Sequence, residues 1–108
     1  MKRGDIVITS LPGDYNKPRP AVVVQSDRLG HSESVVLCPF TSDPVAAEAI
    51  RITVAPAPEN GLRLPSQIMV EKITALRRSK CSDVIGRLDD AVLLQLDEAL
   101  ALVIGLAD

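Results

Sequence analysis

One eight-residue stretch, residues 17–24, constrains the fold more than any other part of the chain. It reads Lys-Pro-Arg-Pro-Ala-Val-Val-Val. Each proline fixes its own φ and favours extended backbone at the residue before it, so Lys17 and Arg19 are predicted to be extended. The apolar and largely β-branched run that follows is typical of a buried strand. The stretch therefore predicts a core strand with the guanidinium of Arg19 held stiffly at its start.

Further short strands are predicted along the chain. The first is an apolar run at residues 6–9, and a second buried run follows at residues 35–40. Residues 50–54 alternate between apolar and polar side chains, as in a strand with one solvated face, and residues 66–74 predict a further strand. Residues 84–88 are short and apolar, and they predict either a last strand or a link.

The helical signals are fewer. Asp43 followed by proline predicts the start of a short helix through residue 48. Residues 90–104 place apolar side chains at helical spacing, with Asp89 as the N-cap and Gly105 at the C-terminal end. This layout predicts a single mostly β domain of the α+β class over residues 1–108. The expected architecture is a small antiparallel barrel or half-barrel with the C-terminal helix packed against it.

Composition narrows the possible partners. The chain has one Phe, one Tyr and no Trp, which disfavours an RNA reader that stacks bases on aromatic side chains. The net charge is −2, but it is unevenly distributed. Residues 1–88 hold twelve bases and nine acids, whereas the remainder holds five acids and no base. A mildly basic groove on the body of the protein is therefore compatible with the overall charge.

Metal, disulfide and membrane chemistry find little support in the sequence. Cys38, Cys81 and the single histidine, His31, do not have the spacing of a zinc site, and two isolated cysteines indicate reduced thiols in a cytosolic protein. A Cys-His nucleophile is disfavoured because His31 lies in a separate polar loop. The N-terminal apolar run is too short for a signal peptide, and no run is long enough to cross a membrane.

Taken in order, several stretches resemble the MazF/PemK family of toxin endoribonucleases. They are residues 2–6, 17–24, 38–42 and 70–73, followed by the terminal helix. The resemblance implies an SH3-like antiparallel barrel, a homodimer, and metal-independent, cofactor-free cleavage of single-stranded RNA in the cytoplasm. It also implies a cognate antitoxin whose extended acidic tail occupies the RNA groove.

The resemblance also implies site residues. The catalytic arginine of the family falls on Arg19, its catalytic threonine on Thr41, and its late-strand acid on Glu71. Many relatives have Asp followed by Gln at this last position, whereas here Lys72 follows Glu71. The loop before Arg19 is also shorter than in many relatives and lacks the His or Glu that some of them place there. These differences bear on which group accepts the proton and on which RNA base is preferred at the cleavage site.

RNA carries its own nucleophile, the 2′-hydroxyl, so the protein has to stabilise charge and move protons. We expect Arg19 to stabilise the phosphorane and Thr41 to donate a hydrogen bond to it. Glu71 or solvent would remove the first proton, because arginine stays protonated. The predicted products carry 2′,3′-cyclic phosphate and 5′-hydroxyl ends. Substrate-binding roles are predicted for four further residues: Lys17, Ser42, Arg77 and Arg78.

Other interpretations of the same residues stay open from the sequence. Thr41 and Ser42 also suit a strand-to-helix cap, and Glu71 suits a solvated strand residue or a partner of Arg19. At the level of the whole chain, the alternatives are a non-catalytic relative that inhibits a protein target such as DNA gyrase, and an SH3-like binding module. The loops around Tyr15, residues 29–34 and residues 55–65 are expected to set base preference.

Overall fold

The structure is a computed structural model and describes residues 1–10 and 17–108. Tyr15, one of the positions expected to influence base preference, lies outside these residues. Within the described part, the strands are β1 Asp5–Thr9, β2 Arg19–Val23, β3 Ser34–Thr41, β4 Arg51–Val54, β5 Ser66–Met69, β6 Thr74–Arg77 and β7 Gly86–Arg87. One α-helix, α1, spans Asp90–Val103, and single 3₁₀ turns occupy Asp27–Leu29, Val70–Lys72 and Arg78–Lys80.

All strand pairs are antiparallel, and β3 is the strand on which the sheet is built. The order across the sheet is β4-β5-β3-β2-β1-β7, with β6 also paired to β3. One edge of β3 faces β2, while its other edge is shared between β5 at one end and β6 at the other. The predicted fold class is confirmed, since the sheet is a curled antiparallel half-barrel that carries a single C-terminal helix.

The sheet buries apolar side chains on both faces. Ile6 and Val22 contribute to a large cluster that includes residues of α1, whereas Val7 and Val23, the next residues along each strand, contribute to a second cluster on the other face. This is the alternation expected of a pleated strand. It explains why β2 has a continuous apolar sequence rather than an alternating one.

The C-terminal helix forms as predicted and is attached at its start and along its length. A side-chain oxygen of Asp89 accepts a hydrogen bond of 2.8 Å from the amide of Val92, and Gly105 adopts a positive φ of 82° after the last turn. Leu96 is fully buried against the sheet. Arg3 connects the N-terminal segment to the helix, because its guanidinium donates to Asp97 and to the carbonyl of Val24.

The predicted strand at residues 66–74 is interrupted. Ile68 pairs with Phe40 and Thr74 pairs with Leu37. The intervening segments contain five residues on this strand but only two on β3. The extra residues cannot lie flat in the ladder, and the chain absorbs them in the 3₁₀ turn at Val70–Lys72. Glu71 therefore lies in a turn rather than on a strand face.

The predicted helix at residues 44–48 does not form. Both backbone groups of Val45 are bound by a side chain from β5: its amide donates to the Oε1 of Gln67 at 3.0 Å, and its carbonyl accepts from the Nε2 at 3.0 Å. A helix at this position would compete for the same groups. In the described part of the chain, no helix is long and apolar enough to cross a membrane.

Candidate active site

The pairing of β2 with β3 brings Arg19 and Thr41 to the same end of the sheet. Ala21 lies opposite Pro39 in this ladder. Extending the register by two residues places Arg19 opposite Thr41, and the alternation of side chains puts both on one face. The other edge of Arg19 is held by β1, where Thr9 is its partner and donates a side-chain hydrogen bond of 3.3 Å to the Arg19 carbonyl.

An open groove of about 730 Å³ lies at this end of the sheet. Its polar lining in the described residues comes from three segments: Lys17 and Arg19 before and in β2, Thr41 to Asp43 after β3, and Arg63 to Ser66 before β5. Three cations face a single acid, Asp43, among the described lining residues. The groove is therefore electropositive although the whole chain is not. Four predicted site residues meet in this groove: Lys17, Arg19, Thr41 and Ser42.

Thr41 is held in a defined position at the wall of the groove. It is buried, and its hydroxyl accepts a hydrogen bond of 3.1 Å from the amide of Asp43. A hydroxyl has one donor and two acceptor positions, so this local bond leaves Thr41 able to donate to a ligand. The capping-type contact and the predicted catalytic role are thus compatible. The clamp from Gln67 to Val45 holds the segment that follows.

Glu71 is not brought into this groove. Its carboxylate receives hydrogen bonds from the Nε of Arg51 at 2.9 Å and from the Nη2 at 2.7 Å, in a bidentate ion pair. This hydrogen bonding lowers the pKa of Glu71. Thr41 lies opposite Gln67, and Glu71 follows four residues later in the direction that leads away from Thr41. The structure therefore does not bring Glu71 together with Arg19 and Thr41, because the pairing of β5 with β3 separates them.

Arg77 and Arg78 are also distant from the groove. Arg77 lies opposite Ser34, at the start of β3, whereas Thr41 is at its end. The Nε of Arg78 donates a hydrogen bond of 2.6 Å to the carbonyl of Ser32. This side chain therefore fixes the neighbouring loop, and neither arginine lines the groove with Arg19. The structure does not bring these two arginines into one site with Lys17 and Ser42.

The thiol of Cys38 is not a candidate nucleophile. Cys38 is fully buried in β3, and burial is the main reason that the pKa of its thiol rises to about 12. A thiol in this state is protonated at neutral pH and is a poor nucleophile. In the described part of the chain, no group of three or more His, Cys, Asp and Glu side chains could hold a metal ion.

Comparison with known proteins decides the family. Residues 2–104 match the family described as PemK-like, MazF-like toxins of type II toxin–antitoxin systems. The chain belongs to this family. A curated relative, the probable endoribonuclease MazF of Mycolicibacterium smegmatis, is 37% identical over 108 residues, which is 99% of each chain. The family predicted from the sequence is thereby confirmed.

Solved structures of MazF proteins support the fold. An endoribonuclease from a mycobacterial species, solved in complex with its cognate antitoxin, superposes with a TM-score of 0.83 at 20% identity, covering 98% of this chain and 96% of that one. A MazE–MazF structure from Deinococcus radiodurans has a TM-score of 0.76 at 21% identity, with 97% and 95% covered. At these identities the similarity shows a shared fold, so the groove of this chain is formed by a MazF fold.

Arg63 also lines the groove, although the sequence does not predict a binding role for it. It lies in the loop at residues 55–65, which was expected to influence base preference but not to supply a cation. A signal was present: Leu62 is apolar between polar and proline-rich neighbours, as in a loop that is anchored in the core. In the structure Leu62 is buried, and Arg63 follows it into the groove of the MazF fold.

Proposed function

We propose that this chain is a toxin that cleaves single-stranded RNA in the groove containing Arg19 and Thr41, without a metal ion. The observation that carries the proposal is that Arg19, at the start of β2, and Thr41, at the end of β3, line the same electropositive groove. Membership of the MazF family supports the activity, since its relative from M. smegmatis is a probable endoribonuclease. Messenger RNA is the expected substrate, so we propose that the protein acts in the cytoplasm.

The reaction is a transesterification. The 2′-oxygen of the substrate forms a bond to the adjacent phosphorus, the bond from phosphorus to the 5′-oxygen breaks, and the products are a 2′,3′-cyclic phosphate and a 5′-hydroxyl. Arg19 offers several N–H donors to the phosphorane oxygens, and Thr41 adds a hydroxyl donor. Such donors stabilise the transition state most strongly when they are already held in place, as the strand ends hold these two.

Two protons have to move in this reaction. The 5′-oxygen gains a proton from water as it leaves, while Arg19 stays protonated and donates a hydrogen bond to the departing oxygen. The 2′-hydroxyl loses a proton, and Glu71 is bound to Arg51 away from the groove. Asp43 is the acid among the described lining residues, so the proton goes to Asp43 or to water. The substitution Asp43→Asn distinguishes these two routes. If cleavage is lost while RNA binding is retained, Asp43 is the general base. If the rate is unchanged, water accepts the proton.

The test of the activity uses a long single-stranded RNA in excess EDTA, with the wild type, Arg19→Ala, and Arg28→Ala as a matched control. Arg28 is exposed in the 3₁₀ turn at Asp27–Leu29 and does not line the groove. We expect cleavage by the wild type and Arg28→Ala, with cyclic-phosphate and 5′-hydroxyl ends. Arg19→Ala should lose at least roughly a hundredfold in rate, as expected for removal of a transition-state donor.

Two outcomes would contradict the proposal. Full activity of a folded Arg19→Ala variant would remove Arg19 from the mechanism. Absence of cleavage by the folded wild type would exclude the nuclease activity, and the next measurement would be binding to a protein target such as DNA gyrase.

We also propose a homodimer and a cognate antitoxin that blocks the groove. The family is that of type II toxins, and the Deinococcus structure is a MazE–MazF complex. An extended acidic segment would suit the cations of the groove, Lys17, Arg19 and Arg63. Light scattering of the purified chain tests the dimer, and an acidic antitoxin peptide should compete with RNA in a salt-dependent manner. A monomer, or binding of peptide and RNA at the same time, would contradict these assignments.

A further inference from the structure

The loop that carries Arg63 has a rigid internal frame. Asn60 is buried at its centre, and its side-chain oxygen accepts hydrogen bonds from the amides of Ala57 at 3.1 Å and Leu62 at 3.0 Å. Its side-chain nitrogen donates to the carbonyl of Ala55 at 2.9 Å. One side chain thus satisfies three backbone groups on both sides of the turn, and the loop has a single well-defined shape.

The same loop is docked tightly against β7. A Cβ added to Gly86 would lie 2.2 Å from the carbonyl carbon of Asn60, and one added to Gly61 would lie 2.4 Å from the carbonyl oxygen of Ile85. Gly61 also has a φ of +70°, which favours glycine. The amide of Arg87 donates to the carbonyl of Glu59 at 2.7 Å. Backbone therefore touches backbone along this contact, and the loop cannot shift without losing it.

Arg63 projects from this frame between two fixed points. Leu62, on one side, is only 7% exposed and belongs to the core. Ser66, on the other side, is buried at the start of β5, and its hydroxyl donates 2.9 Å to the carbonyl of Leu64. Arg63 itself is exposed and lines the groove. Arg63 thus lies between two anchored residues, Leu62 and Ser66, while its own side chain is exposed at the groove.

The position of Arg63 complements that of Arg19. Lys17 and Arg19 reach the groove from the start of β2, and Arg63 reaches it from a separate segment of the wall. RNA carries a negative charge at every nucleotide, so a strand whose scissile phosphate lies on Arg19 carries neighbouring phosphates through the same groove. A guanidinium on a rigid support is well suited to bind one of them.

We propose that Arg63 is a second phosphate-binding residue, which holds a non-scissile phosphate of single-stranded RNA while Arg19 acts at the scissile one. The proposal rests on the proposed function, because it takes the groove to be the RNA site. A contact made equally in the bound substrate and in the transition state lowers KM and leaves kcat unchanged. Arg63 is therefore a binding residue, whereas Arg19 is a catalytic residue.

The test uses an oligoribonucleotide that spans a mapped cleavage site and carries a 2′-deoxy nucleotide there, so that binding is measured without cleavage. Wild type is compared with Arg63→Ala, Arg63→Lys and the control Arg28→Ala. We expect Kd to rise roughly tenfold for Arg63→Ala, as for loss of a charge-assisted hydrogen bond, and less for Arg63→Lys. The slope of log Kd against log salt should fall by about 0.7 in Arg63→Ala, the value for one phosphate on a single strand.

Neutral methylphosphonates then locate the contact. Replacing each flanking phosphate in turn should reveal one position where the wild type and Arg28→Ala lose affinity and Arg63→Ala does not. On cleavable RNA, Arg63→Ala should raise KM with kcat within about twofold, in keeping with loss of uniform binding.

Three results would overturn the proposal. The first is an Arg63→Ala affinity equal to that of Arg28→Ala, and the second is a phosphate scan with the same profile in the wild type and Arg63→Ala. The third is a loss confined to kcat, which would make Arg63 a transition-state group instead. Failure of the proposed function has a different signature: the wild type would not cleave RNA, or Arg19→Ala would remain active, and both proposals would fall.

Discussion

At the scale of single residues, the groups that a side chain contacts determine its role, even when two side chains are chemically identical. Arg19 and Arg51 both begin strands, but Arg19 faces the groove whereas Arg51 is bound to Glu71 through two of its nitrogens. Glu71 is thereby held in an ion pair with Arg51 and does not line the groove. Arg51 has 11% of its side chain exposed and Glu71 has 30%, so the ion pair is partly shielded from solvent.

The Glu71→Gln substitution tests this assignment. We expect a loss of about 1 kcal/mol in the free energy of unfolding at pH 7, as for a well-formed and partly buried ion pair, with an unchanged cleavage rate. The hydrogen bonds from Arg51 lower the pKa of Glu71 in the folded state. The ion pair therefore stabilises the protein fully at pH values above 4.5, the ordinary pKa of glutamate. This contribution is lost as the pH falls through the folded-state pKa of Glu71. The wild type and Glu71→Gln should then have nearly the same free energy of unfolding.

Urea unfolding between pH 7 and pH 3 measures that difference, with Glu33→Gln as the control. Glu33 is an exposed glutamate for which no comparable loss is expected. A pH-independent difference, or cleavage abolished in folded Glu71→Gln, would show that Glu71 acts beyond its pair with Arg51.

At the scale of elements, Gln67 links β5 to the segment after Thr41. Its amide binds both backbone groups of Val45, and this clamp replaces the short helix that Asp43 and Pro44 had predicted. We expect Gln67→Leu to fold, because Val45 is exposed and water can satisfy its freed groups. The rate should fall roughly ten- to a hundredfold in kcat with a smaller change in KM, since the Thr41 hydroxyl would lose its alignment.

Steady-state kinetics with a double-mutant cycle distinguish positioning from simple destabilisation. If Gln67 acts through Thr41, its substitution should cost much less in a Thr41→Ala background than in the wild type. Gln67→Glu, which keeps the acceptor but not the donor, should fall between Gln67→Leu and wild type. Additive effects of the two substitutions on kcat would refute the positioning role.

At the scale of the whole molecule, α1 covers one face of the half-barrel, and Leu96 is its central contact. Leu96 is fully buried, whereas Leu94 on the same helix is 62% exposed. We expect Leu96→Ala to lose about 2–5 kcal/mol of stability through the cavity it leaves. A domain of this size is typically stable by about 5–15 kcal/mol, so the loss should be visible as a large shift of the denaturant midpoint.

Leu94→Ala provides the matched control, because it removes the same atoms from an exposed position. Its effect should stay within about 0.5 kcal/mol. Equal losses for Leu94→Ala and Leu96→Ala, measured by urea unfolding of the purified chain, would indicate that the outer face of α1 is also covered in solution.

Much of the fold could be predicted because the signals are local. Strands β1, β2 and β3 and helix α1 could be predicted from signals within each segment, namely the spacing of apolar residues, the prolines and the helix caps. The family resemblance also led correctly to the MazF family, which the match over residues 2–104 confirms. The two prolines that flank Arg19, together with the apolar run after them, predict its position at the rigid start of a core strand.

The sequence by itself determined several local segments, namely strands β1 to β3 and helix α1, with Arg19 at the start of its strand and Thr41 at the end of its strand. Only the tertiary structure decided which side chains meet. The register of β3 with its two partners on one edge displaced Glu71 into a turn beside Arg51 and left Arg77 at the far end of the strand. The docking of the Asn60 loop on β7 brought Arg63 into the groove. These outcomes depend on contacts between residues far apart in the chain, which no local pattern encodes.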